Sequence, residues 1–89
     1  MDVAVPTATD VLKLIKHRFA GREELIERAF RHDVTFRSLC RDYRDCHRAL
    51  ARLRREDSAH AALRRAEYME LLDELGCEIR GWLETQDIR

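Results

Sequence analysis

The chain has 89 residues, 17 Lys and Arg against 17 Asp and Glu, 38% charged residues, 7% aromatic residues and a single Pro. That length holds one domain, close to the size at which a single core barely offsets chain entropy, and the composition is that of long amphipathic helices rather than of disorder or a mixed α/β core. A formal net charge of zero removes the global basic field of a nucleic-acid binder, and no run of about 18 apolar residues exists to span a membrane.

Residues 1–8 hold the only Pro and a cluster of small residues, which predicts a flexible lead-in to a single helical domain over 9–89. The start MDVAVPTATD lacks the basic and apolar stretches of a signal peptide, and no lipidation motif stands at either end, so a cytoplasmic protein is expected. The three cysteines have no short paired spacing and read as reduced thiols.

Thr7 or Thr9 is placed to cap a first helix, with Asp10 favouring its N-terminus. Leu12, Ile15, Phe19, Ile26 and Ala29 keep helical spacing, which predicts one helix over about 9–30, with Gly21 as its weak point and the place where it would divide. Asp33 then stands as N-cap of a second helix over about 34–55. Along it Phe36, Leu39, Tyr43, Cys46, Leu50 and Leu53 alternate spacings of three and four, a coiled-coil seam.

A polar break over 56–60 follows, with Asp57 or Ser58 as the next cap, and a last helix over about 59–85 carries Tyr68, Leu72, Leu75, Ile79 and Trp82 as the facing seam. Two such helices fold against each other. The expected fold is all-α: a long antiparallel helical hairpin, coiled-coil-like, with an additional N-terminal helix packed on it as a three-helix bundle or packed on a symmetry mate.

Met69, Leu71 and Leu83 widen the apolar face of the last helix beyond what one partner helix covers, and form the candidate partner face. A homo-oligomer, with a dimer favoured, or a helical protein partner would cover it. Arg37, Arg41, Arg44, Arg48, Arg52 and Arg55 fall opposite the seam and form a candidate anion-binding stripe. Residues 31–55 balance at +5 and residues 56–89 at −5, so attraction between the two arms is expected to favour the hairpin, with an acidic protein surface or nucleic acid as the stripe's other readings.

No catalytic, cofactor or metal site is expected. No His-x3-His, Cys-x2-Cys or Cys-x3-His pair exists, and Cys40 and His47 lie about 10.5 Å apart along one helix. Cys46 is expected in the core, His47 at the surface and Cys77 at an outer position. Carboxylates fall on outer helix positions, no Gly-rich phosphate loop occurs, and a chain of this size leaves little room for a pocket, so the reading is a non-enzymatic interaction or assembly module.

The opening Asp33, Phe36, Leu39 and Tyr43, followed by the seam, the polar break and the stretch from Leu63 to Leu75, closing on Glu78 and Ile79, resembles the YdcH-like family of small bacterial proteins. The resemblance runs from about Ile26 to Leu83. Arg64, Arg65, Glu67 and Tyr68 replace the family's usual lysine-rich start of the last helix. The resemblance implies a bacterial cytosolic hairpin protein and carries over no catalytic or binding residues.

Overall fold

In the computed structural model, which describes residues 8–87, four helices follow one another: α1 (Ala8–Arg18), α2 (Glu23–His32), α3 (Val34–Leu53) and α4 (Ala59–Asp87). The single N-terminal helix expected over 9–30 is therefore corrected to two, and the hairpin with one extra helix to a four-helix arrangement. Gly21 makes the break, with φ at +95°, a left-handed backbone that L side chains rarely adopt. Its N–H donates to both carboxylate oxygens of Glu23, at 3.2 and 3.1 Å, so the first residue of α2 reaches back to close the turn. That hydrogen bond holds the Glu23 carboxyl below its usual range.

The cap expected at Thr7, and residues 1–7 of the lead-in expected over 1–8, lie outside the described residues, while Ala8 is helical. Ala8 opens α1, so Thr9 sits within the first helical turn rather than before it. Asp33 serves two helices at once. Its N–H donates to the Ala29 carbonyl at 2.8 Å and ends α2, while its carboxylate accepts from the Phe36 N–H at 2.9 Å and starts α3. Ser58 caps α4 by accepting from the Ala61 N–H at 3.1 Å.

α3 and α4 form the antiparallel hairpin, and α1 and α2 pack chiefly on α3. The core gathers Val11 and Ile15 of α1, Phe19 just after it, Ile26, Ala29 and Phe30 of α2, Phe36, Cys40, Tyr43 and Cys46 of α3, and Leu75, Ile79 and Leu83 of α4. Phe36 stacks on Trp82 with centroids 4.4 Å apart, and Phe19 meets Tyr43 edge-on at 6.4 Å. Burying each large apolar side chain contributes roughly 1.5–3 kcal/mol, so the two N-terminal helices supply what an isolated hairpin lacks. They do so at one end only. The core ends near Cys46 on α3 and Tyr68 on α4, and beyond it the hairpin's outer half buries only Leu50 and Ala61 among its own two helices.

Candidate functional interface

The residues expected to form the hairpin seam divide by burial. Phe36, Tyr43, Cys46, Leu50, Leu75 and Ile79 are buried, and Leu39, Leu53, Tyr68, Leu72 and Trp82 are half-buried. Cys40, outside the expected seam, is fully buried, because α1 and α2 cover the side of α3 to which it points. Burial pushes its thiol pKa up to about 12. Cys46 is also shifted upward by burial and its thiol donates to the Tyr68 carbonyl at 3.3 Å, while His47 and Cys77 are exposed.

The candidate partner face divides. Leu83 is only 2% exposed and belongs to the core, which corrects its assignment to a partner surface: a heptad describes the hairpin alone, whereas Val11, Ile15 and Phe19 from the N-terminal segment join Leu83 in one core. Met69 and Leu71 remain open at 51% and 42% exposed, joined by Leu63 at 62%. All three lie on the half of α4 beyond the α1 and α2 cover. Leu71 also lines a shallow groove between α3 and α4, about 340 Å³, with Cys46, Ala49, Tyr68 and Leu75 at its floor and Asp42 and Asp45 on its rim.

The arginine stripe divides too: Arg37 and Arg44 are half-buried against the protein, whereas Arg41, Arg48, Arg52 and Arg55 are exposed. Arg37 donates to the carbonyls of Phe30 at 2.9 Å and Arg31 at 3.1 Å, the end of α2. Arg41 lies with its guanidinium carbon 5.9 Å from the Phe30 ring centroid. Arg44 is largely buried and paired with Asp45 at 2.7 Å. These long stems bend back onto the protein although their Cα positions face away from the seam. Arg48, Arg52 and Arg55, on the outer half, are exposed and carry no side-chain hydrogen bond or ion pair among the described residues.

The electrostatic attraction expected between the two arms is not realised as contacts. The ion pairs among the described residues join Lys16 to Glu27, Arg31 to Glu27, Arg44 to Asp45 and Arg64 to Glu67, and none of these links α3 to α4. The outer hairpin thus presents arginines on α3, and Glu67, Glu70, Asp73 and Glu74 on α4, all to solvent. Among the described residues no group of His, Cys, Asp and Glu is arranged to hold a metal ion, and no helix is long and apolar enough to cross a membrane. No family model, curated protein or solved structure matches the chain.

Proposed function

We propose that this chain is a non-enzymatic assembly module whose working surface is the outer half of the α3/α4 hairpin, and that the surface is occupied by a second copy of the chain. What carries this reading is the pairing of exposed apolar side chains with opposite charges on the two arms of the same half, which no ion pair joins to each other. Leu63, Met69 and Leu71 are exposed where no helix of the chain covers them. Beside them stand a cationic α3, with Arg48, Arg52 and Arg55, and an anionic α4, with Glu67, Glu70, Asp73 and Glu74.

Two copies related by a twofold axis bring the basic arm of each against the acidic arm of the other, the self-complementary arrangement that such an axis requires. Leu71 and the groove beside it supply the apolar centre, and the charges form the rim. The YdcH-like reading of the helical hairpin and a cytosolic location accord with this proposal. The arginine stripe then meets an acidic protein surface, that of its own copy, rather than nucleic acid.

The test is solution mass by light scattering after size exclusion on reduced protein. A dimer that weakens with salt, and becomes monomeric in both Leu71→Glu and the Arg48→Glu/Arg52→Glu double variant with helicity kept, is the expected result. A monomer at the highest attainable concentration, or a dimer that neither variant disturbs, overturns it.

A further inference from the structure

The hairpin is one pair of helices in two packing environments. From residue 47 to residue 67 only Leu50 and Ala61 are buried, and neither belongs to the core that α1 and α2 complete. The hairpin's share of that core runs to Cys46 on α3 and starts on α4 with the half-buried Tyr68. Between these two residues Ala49, Leu53, Arg64 and Arg65 are half-buried, and every other side chain is exposed.

Polar links between the two arms of this stretch are as sparse. The Cys46 thiol donates to the Tyr68 carbonyl at 3.3 Å, at the boundary itself. Beyond it, among the described residues, the one side chain that bonds from arm to corner is Arg65, whose Nη1 donates to the carbonyls of Leu53 at 2.9 Å and Glu56 at 3.0 Å. No ion pair joins the arms. Ordering a helical turn costs backbone entropy whether or not its side chains are buried. The inner half offsets that cost with apolar burial drawn from all four helices, the outer half with Leu50, Ala61 and the Arg65 bonds. Helices fray from their ends, and here the end of α3 and the start of α4 meet at one corner.

We infer that residues 47–67 form a tip that opens and closes as one unit while α1, α2 and the inner hairpin stay folded, with Arg65 as its latch. Regions with few buried contacts open in this way below the free energy of global unfolding. The consequence for assembly rests on the reading above, that a second copy covers the outer hairpin. Arg48, Arg52, Arg55, Leu63 and Glu67 all belong to the tip, so a second copy meets its surface only in the closed form, and its binding holds the tip closed by mass action. Arg65 is not among the residues of that surface, yet loosening its hold on the corner lowers the affinity of one copy for another.

The experiment is native-state amide hydrogen exchange of the full chain in low urea, read residue by residue by NMR, on the parent, Arg65→Gln and Ile79→Val. The hydrogen-bonded amides of 47–54 and 62–67 are expected to exchange together through one opening, faster than those of 36–46 and 75–83. Ile79 is 0% exposed in the core, and Ile79→Val accelerates the core amides about three- to tenfold. It leaves the tip amides unchanged, because the core is intact whether the tip is open or closed. Arg65→Gln accelerates the tip amides about tenfold. Equal acceleration of tip and core by Ile79→Val, rates that climb residue by residue toward the corner, or an unaltered tip in Arg65→Gln overturns the inference. Light scattering on the same samples separates it from the assembly reading: a monomeric parent overturns assembly and the coupling to it, while the exchange pattern alone judges the tip. In a parent that dimerises, tip exchange that slows with protein concentration supports the coupling, and tip exchange independent of concentration overturns it.

Discussion

The Arg37 side chain, four residues into α3, donates from Nε to the carbonyl oxygen of Phe30 at 2.9 Å, while its guanidinium lies over the ring of the same residue, 5.9 Å from the centroid. A second donation, to Arg31 at 3.1 Å, satisfies another carbonyl that α2 leaves open at its end. Arg65 repeats the device one turn of the chain later. From α4 it donates to the carbonyls of Leu53 at 2.9 Å and Glu56 at 3.0 Å, where α3 ends. The α2–α3 and α3–α4 corners are thus each fastened by an arginine of the following helix, placing a positive charge at the negative end of the preceding one.

Charge-assisted hydrogen bonds of this kind contribute about 1.5–3 kcal/mol when partly buried. Arg37→Gln is expected to destabilise the fold by about 1–2 kcal/mol, and Arg37→Lys to recover little of it, because one ammonium cannot both fork two carbonyls and lie flat on Phe30. Arg48→Gln, at an exposed position, is expected to stay within about 0.5 kcal/mol of the parent when both are dilute enough to be monomeric. Urea denaturation followed by circular dichroism separates these outcomes, and equal midpoints for Arg37→Gln and Arg48→Gln would sink the corner role.

Two glycines respond in opposite directions to the same substitution. At Gly21 the left-handed φ of +95° makes any L side chain strained, although a methyl group there would meet nothing within 4 Å, so Gly21→Ala is expected to cost about 1–2 kcal/mol through the backbone alone. Gly81 lies inside α4, and a methyl group there also meets nothing within 4 Å. Gly81→Ala is therefore expected to stabilise by about 0.5–1 kcal/mol, raising the thermal midpoint by a few degrees.

Local chemistry carried the readings that the structure shares with the sequence. Asp33 and Ser58 announce helix starts because a capping carboxylate or hydroxyl acts within three residues of itself, and α3 and α4 follow from apolar spacing over many turns. The break at Gly21 was visible only as a weak point, since a lone glycine costs a helix about 1 kcal/mol and it is the packing of α1 and α2 on α3 that decides whether the chain bends there. The burial of Leu83 and Cys40 is not legible in the seam pattern for a shared reason: a heptad describes one seam, and these residues belong to a core that also takes in the N-terminal helices. Arg37, Arg41 and Arg44 lie on the outward side of the wheel, but a wheel fixes where a Cα points and not where a long stem ends.

Leu71 and Leu83 stand twelve residues apart on one helix and separate fold from surface. Leu83→Ala removes a side chain that is 2% exposed and packed in the main core, and is expected to cost about 2–5 kcal/mol with any loss of self-association following from unfolding. Leu71→Ala, at 42% exposed, is expected to change monomer stability by less than about 1 kcal/mol. Denaturation at several protein concentrations checks this, because an assembly-linked effect of Leu71→Ala shrinks on dilution and a core effect of Leu83→Ala does not.

Cys40 supplies the pH dependence. Its thiol pKa is pushed to about 12 in the fold, against an ordinary value of 9.0, because the thiolate would have no water around it. The folded chain therefore keeps this proton over a window in which the unfolded chain releases it, so stability is full below about pH 8 and falls as pH rises from about 9 toward 12. Cys46 shifts in the same direction and adds to the slope. Urea midpoints measured at pH 7.5 and pH 10 are expected to fall for the parent and to fall less for Cys40→Ala, after allowing for its lower starting stability. A disulfide-exchange reagent at neutral pH gives a parallel readout. Cys77 is expected to react within seconds to minutes, whereas Cys40 and Cys46 react only as fast as the core opens, so immediate modification of all three thiols in the native protein would contradict the buried placement.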